Sequence, residues 1–509
     1  MMDSMTTLCS KFKLSCCFFI VVIPLLFNGC STQIAEEKVS TNAKPNIIYI
    51  MADDLGYGDL GSYGQQNIQT PNLDRMAEEG TRFTQHYSGS TVCAPSRAVL
   101  MTGLHSGHAP IRGNKEIMPI GQYPLQYGTV TVPGMLKEAG YVTGGFGKWG
   151  LGYPDSEGMP TQQGFDRFFG LLGQRRSHFF YPEFLFNDEY GKAVERVYLD
   201  GNKVEDASRE GFERPGSGPP IERGQYSQDV ITEKALTFID EHSEEPFFLY
   251  VPSQIPHASL TVPEDELAQY QNENGKSIFV EDTTYSSGAY TKQSQPLATY
   301  AAMVSRLDRY VGLILDKLEE KGIATNTLVI FTSDNGSYSE GGYHYSMHNS
   351  NSPLRGGKRD LYEGGIRVPM IAWWPGQIKA GRTSEHISGF QDILPTFSEL
   401  AGMPSPPNRD GVSMMPTLLG NDEEQEPREY LYWEFHAQGG KQAVRKGKWK
   451  AVRLGVRENR DAPIELYNLE EDISEQKDVA SQYPEIVEEM SRIMYKEHVP
   501  SEVFPLFEK

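Results

Sequence analysis

Short apolar, β-branched runs separated by long helical patterns constrain this chain more than any other feature. Residues 46–51 (Asn-Ile-Ile-Tyr-Ile-Met) form such a run, and residues 141–146, 247–251, 328–332 and 368–373 form others. Runs that are apolar throughout belong to strands buried on both faces. Helical patterns lie between them. In the longest, residues 300–321, Met303, Val304, Leu307, Val311, Ile314, Leu315 and Leu318 fall on one face before Gly322 ends it. Thr70-Pro71 opens another that runs to Gly80. Strands alternating with helices predict an α/β fold: a large, mostly parallel sheet with helices on both faces. Beyond Pro404-Ser405-Pro406-Pro407 the texture changes. Residues 430–435, 442–454 and 464–469 read as strands and 484–495 as an amphipathic helix, a smaller antiparallel sheet packed on the first domain. The expected organisation is therefore 46–407 for the large domain and 408–509 for a C-terminal α+β part.

The start of the chain predicts export. Lys11 and Lys13 precede an apolar stretch, 14–27, that is too short to span a bilayer and ends at Asn28-Gly29-Cys30. Leu-Phe-Asn-Gly-Cys is similar to a bacterial lipobox, which would make Cys30 a lipidated N-terminus of a periplasmic or cell-surface lipoprotein. Ordinary cleavage nearby is the alternative, and residues 31–45 read as a polar tether. Cys9, Cys16 and Cys17 leave with the signal either way. Of the 5 cysteines only Cys93 then belongs to the folded domain, so no internal disulfide holds it and a large core must. A net charge of −21 argues against a nucleic-acid partner, although a local basic pocket can override the global sign.

Oxygen ligands collect where two of the strands end. Asp53-Asp54 follows the 46–51 run, and Ser333-Asp334-Asn335-Gly336 follows 328–332. Adjacent side chains of a continuing strand point to opposite faces, so both aspartates reach one ion only if the strand has ended, which Leu55-Gly56 permits. Three carboxylates and an amide at the carboxyl ends of parallel strands suit calcium or magnesium. Pro95 places Cys93 at the start of a helix, where free amides favour an anion, and Arg97 lies on the same helical face.

Cys93-Ala94-Pro95-Ser96-Arg97 matches the C-x-P-x-R signature of the formylglycine-dependent sulfatases. Met51 to Asp54, Leu100-Met101-Thr102-Gly103, Gly147-Lys148-Trp149, Pro256-His257, Ser333 to Gly336 and Leu354-Arg355-Gly356-Gly357-Lys358 match in order and spacing. From Asn46 to about Pro407 the chain resembles the catalytic domain of these enzymes, members of the alkaline-phosphatase-like superfamily. The resemblance implies that a maturation enzyme oxidises Cys93 to formylglycine, whose hydrate attacks sulfur. It also implies that Asp53, Asp54, Asp334 and Asn335 bind calcium beside Cys93, that Arg97, Lys148, His257 and Lys358 hold the sulfate or the hydrate, and that His257 protonates the leaving oxygen. One position departs. The family's Gly-Lys-Trp-His reads Gly147-Lys148-Trp149-Gly150 here, which leaves His178, His344 and His348 as candidates for the missing ring.

Gln174, Arg175 and His178, in a segment rich in planar donors and aromatics (Gln-Arg-Arg-Ser-His-Phe-Phe-Tyr), are the expected sugar contacts. The long polar stretches 191–224 and 272–295 are candidate substrate loops. The expected function is hydrolysis of sulfate esters on a carbohydrate, within a bacterial subgroup associated with galactose or N-acetylgalactosamine. A phosphonate or phosphate-ester hydrolase on the same scaffold and an inactive glycan-binding lipoprotein are the alternatives.

Overall fold

In a computed structural model, which describes residues 44–205, 216 and 218–508, the first apolar run is the strand Asn46–Asp53, buried along its whole length. The expected signal, the lipobox at Cys30 and most of the tether lie outside the described residues. Asn46–Asp53 sits near the middle of an 11-stranded sheet. Its two sides show why an all-apolar run is needed there. Ile48, Ile50 and Ala52 enter one core with the long helix Pro296–Glu320, while Ile47, Tyr49 and Met51 enter another with Cys93–Thr102 and Ile393–Leu400.

The centre of the sheet is parallel, in the order Thr327–Ser333, Asn46–Asp53, Phe247–Pro256, Val142–Lys148, Arg167–Leu171. Every one of these strands therefore ends at the same edge. The flanks are mixed. Arg367–Trp373 runs antiparallel to both Thr327–Ser333 and Thr81–Tyr87, and Phe184–Glu189 runs antiparallel to Arg167–Leu171.

The smaller sheet is antiparallel, in the order Leu431–Phe435, Lys441–Lys446, Trp449–Leu454, Ile464–Asn468. The 442–454 stretch, expected as one strand, is thus a hairpin that turns at Gly447 in a left-handed conformation, φ 53°. One face, with Val444, Ala451 and Leu466, packs on Met490, Ile493 and Met494 of the helix Pro484–Lys496. The other, with Trp433, Ala443 and Val452, packs on Tyr87, Leu361 and Ile366 of the large domain.

Buried polar bonds reinforce that second contact. Lys450 Nζ lies 2.8 Å from Glu363 Oε1, and Glu475 Oε2 accepts from the Glu363 amide at 2.7 Å. Arg355 donates to Tyr467 Oη at 3.0 Å, and Lys441 to the Arg359 carbonyl at 2.7 Å. Glu497, at the end of the last helix, holds His105 at 3.0 Å, just past the Cys93–Thr102 helix. Lys450, Glu363 and Glu475 are fully buried, so each charge depends on the others. Although burial opposes it, Lys450 and Arg367 hold the Glu363 carboxyl down to about 2, while burial pushes Glu475 up to about 7.

Candidate active site

Asp53 is the last residue of its strand, and Asp54 turns out of the sheet with φ +64°, a conformation that non-glycine residues avoid. That turn lets two consecutive carboxylates face one place. The Asp54 amide donates to Asp334 Oδ1 at 3.0 Å and the Leu55 amide to Ser333 Oγ at 2.9 Å, so the ends of two neighbouring parallel strands are tied together. Asn335 Nδ2 donates to Asp54 Oδ1 at 2.7 Å, and its Oδ1, fully buried, has no partner among the described residues.

The helix Cys93–Thr102 begins over this cluster, with Cys93 Sγ 3.4 Å from Asp53 Oδ1 and 4.0 Å from Asp54 Oδ1. Arg97, one turn on, donates to Asp334 Oδ2 from Nε at 3.1 Å and from Nη2 at 2.7 Å, and to the Lys148 carbonyl from Nη1. Lys148, at the end of its strand, reaches Asp53 Oδ2 at 2.6 Å. Burial pushes the Asp53 carboxyl up to about 7 against the pull of Lys148, and it pushes the Cys93 thiol well above its ordinary range.

Lys358 closes the other side. Its Nζ lies 2.7 Å from Asp54 Oδ2, 2.8 Å from Glu340 Oε1 and 2.9 Å from His257 Nε2. His257 continues from the strand Phe247–Pro256, and its Nδ1 bonds the Ala258 carbonyl. Burial, then Lys358 and Lys148, push its pKa well below the ordinary value. The ring is neutral at physiological pH, with Nδ1 the donor and Nε2 receiving the Lys358 ammonium.

All nine residues expected at the nucleophile, metal and sulfate positions therefore meet at one edge of the sheet. Glu340, Tyr338 and Tyr290 join them, unannounced by any spacing in the sequence. Tyr290, from the long 272–295 stretch, donates to Glu340 at 2.9 Å and packs 5.5 Å from the His178 ring. His178 is stacked on His257 at 4.2 Å. The other two candidates for the missing ring are engaged elsewhere, His344 with Ser346 and Tyr285, His348 with the Leu297 carbonyl. Gln174 is buried beside Gly150. Arg175 borders a small cavity with Glu116, Ile120 and Gly121.

Asp53, Asp54, Asp334 and Cys93 each present a ligand atom within 4.8 Å of the others, all buried. With the unpartnered oxygen of Asn335 beside them, they fit a hard divalent cation better than a soft one. Asp53, Asp54, Asp334 and Glu340 facing Arg97, Lys148 and Lys358 leave one negative charge in excess. A divalent cation tips the pocket to a net positive charge, the sign that an anionic ester requires.

Comparison with known proteins gives the same direction. The sequence profile described as Sulfatase matches residues 45–403, and that of the N-sulphoglucosamine sulphohydrolase C-terminal region matches 357–499. The N-acetylgalactosamine-6-O-sulfatase of Bacteroides thetaiotaomicron is 31% identical over 92% of this chain and 96% of its own. The human N-acetylgalactosamine-6-sulfatase is 34% identical over 74% of this chain and 66% of its own. The crystal structure of Ps i-CgsB in complex with k-i-k-neocarrahexaose superimposes with a TM-score of 0.69 at 30% identity, covering 90% of this chain and 94% of that one. Since the first of these matches takes in every strand of the large sheet, the chain belongs to the sulfatase family and is a sulfuric ester hydrolase.

Proposed function

We propose that this enzyme removes sulfate from a carbohydrate of the galactose or N-acetylgalactosamine type. The observation that carries the chemistry is the pocket in which Cys93 meets three carboxylates and three cations. Relatives named for N-acetylgalactosamine 6-sulfate and a structural neighbour holding a carrageenan-type oligosaccharide support the sugar. Calcium is the cation we assign to Asp53, Asp54, Asp334 and Asn335, where it would neutralise charge on the sulfate oxygens. Formylglycine, made from Cys93, would supply the nucleophilic hydroxyl. Cys93 is 1% exposed, so a maturation enzyme must reach the Cys93–Arg97 segment before the domain closes over it.

Arg97 and Lys148 orient the sulfate group from the Asp334 and Asp53 side, and Lys358 from the Asp54 side. His257 and Lys358 face the leaving oxygen as a hydrogen-bonded pair in which the lysine ammonium holds the proton, so its transfer through His257 Nε2 to the leaving oxygen would leave the lysine neutral and the ring as it began. A sugar alkoxide needs a proton to leave, whereas an activated aryl oxide needs little.

Side-by-side assay of N-acetylgalactosamine 6-sulfate, an aryl sulfate and the matching phosphate monoester tests the reading. His257→Ala is expected to lose about 10²- to 10⁴-fold on the sugar ester and far less on the aryl ester. Equal losses on both would remove the leaving-group role, and a preference for phosphate would overturn the substrate class.

We also place the protein outside the cytoplasm, anchored through Cys30, because a lipobox-like sequence precedes a polar tether of about the length that separates lipid from a folded domain. Membrane fractionation should recover wild type with the membranes and Cys30→Ser in the soluble fraction. Wild type found only in the soluble fraction would refute the anchor.

A further inference from the structure

Gln174 is only 4% exposed, and neither its amide nitrogen nor its amide oxygen has a hydrogen-bond partner among the described residues. A carboxamide offers two donors and an acceptor, and folded proteins almost always pair such groups when they bury them. Both ends of this one are left open. Its amide lies against a glycine. Gly150 has φ +81°, and a β-carbon built on it would lie 2.1 Å from Gln174 Nε2 and 3.7 Å from Arg97 Cδ. The amide thus fills the volume that a side chain at position 150 would need, close to the stem of the arginine that grips Asp334 and the Lys148 carbonyl.

The same short turn spans the pocket. It begins at Gln174, on the Arg97 side, and its other end carries His178, stacked on the His257 ring that bonds Lys358. An uncharged donor therefore stands at one end of the arch, where two cations already face the acidic cluster.

We propose that the Gln174 carboxamide is a sulfate-binding catalytic group whose Nε2, seated in the space that Gly150 leaves open, donates to an oxygen of the bound sulfate. This rests on the sulfatase reading and moves Gln174 from the sugar to the reacting group. An amide there adds a preorganised donor without adding charge, the arrangement of an oxyanion hole, and it does not titrate. Glycine at 150 is the complementary half of the device. Any side chain there would displace the amide and would have to adopt a left-handed backbone.

The test compares fully matured, metal-loaded wild type with Gln174→Ala and Gln174→Glu. Three readouts are needed: kcat/KM on a sugar sulfate and on an aryl sulfate, inhibition by inorganic sulfate, and protection by inorganic sulfate against thermal unfolding. Gln174→Ala is expected to lose about 10²-fold on both esters, the usual cost of one oxyanion donor, and to bind inorganic sulfate about tenfold more weakly. Its melting temperature without sulfate should change little, because the packing lost with the side chain is offset by removing two buried polar atoms that have no partner among the described residues. Gln174→Glu should lose more than Gln174→Ala on both esters, since an ionised carboxylate repels a sulfate oxygen and has no proton to donate. An unchanged rate or unchanged sulfate binding in Gln174→Ala overturns the proposal, and so does a loss confined to the sugar ester. Wild type inactive on both sulfates would instead count against the sulfatase reading, and sulfate protection would still decide whether Gln174 binds the anion.

Discussion

Replacing Cys93 with alanine is expected to lower ester hydrolysis by at least about 10⁴-fold, the scale on which removing a nucleophile from a concerted site is felt, while the protein still folds. The side chain is small and lies at the start of a helix, and among the described residues its Sγ is hydrogen-bonded only to Asp53 and Asp54, at 3.4 Å and 4.0 Å. Truncating it should cost about 1 kcal/mol, in the range of a small buried deletion. Nothing else in the pocket can take over. Ser96 Oγ accepts from the Gly89 amide, the Tyr290 and Tyr338 hydroxyls donate to Glu340 and the Pro256 carbonyl, and His257 is held between Lys358 and the Ala258 carbonyl with His178 stacked on it. Peptide mass spectrometry of active wild type should show the aldehyde rather than the thiol at position 93. Full activity from protein whose Cys93 is entirely thiol would sink this assignment and the maturation step with it.

Removing the Asp334 carboxylate is the second large effect, because that group does two jobs. Its Oδ1 ties the Asp54 amide in place, and its Oδ2 accepts both bonds from Arg97, a cation with no exposed surface. Asp334→Ala should therefore lose bound calcium and turnover together, and should also lose about 3–5 kcal/mol of stability by stranding a buried charge. Asp334→Asn separates the two, since it keeps the shape and one acceptor. It should retain more stability than the alanine variant and still fail to hold the metal. Chelation of wild type should mimic the loss of rate without the stranded arginine, and calcium should restore it. Chelated enzyme that is metal-free by elemental analysis and keeps its rate would disprove the assignment of the acidic cluster.

The central strands were legible because a strand buried on both faces is apolar along nearly its whole length, as 47–51, 247–251 and 328–331 are. Thr81–Tyr87 and Phe184–Glu189 escaped notice for the opposite reason. Thr81–Tyr87 mixes polar and apolar residues, and Phe184–Glu189 has three apolar residues before Asn187-Asp188-Glu189, since both lie toward the flanks where one side is less covered. The long helix begins at Pro296, four residues before its apolar stripe becomes regular, because proline is tolerated in a first turn. At the site, the residues at strand ends and in the Cys93 helix could be placed from sequence because the sheet dictates where each strand stops. Gln174 and Arg175 could not. They follow one another in a tight turn whose side chains diverge, one beside Gly150 and the other toward the Glu116 to Gly121 loop. No periodicity in the sequence records that divergence.

The polar bonds beneath the C-terminal sheet carry an evolutionary consequence. Arg355 bonds Tyr467 and Lys441 holds the carbonyl of Arg359; between those anchors lies Lys358, which reaches the pocket, and just beyond them Lys450 and Glu475 hold Glu363. Glu497 secures the loop just past the Cys93 helix. A chain ending near residue 403 would keep every acidic ligand and lose the supports of a cation and of the helix that bears Cys93. The smaller sheet is consequently not an interchangeable appendage. Recombination between relatives can transplant it only if the recipient keeps Glu363 to meet the incoming Lys450 and Glu475, so sequence drift in the two parts is bound together by three buried polar side chains.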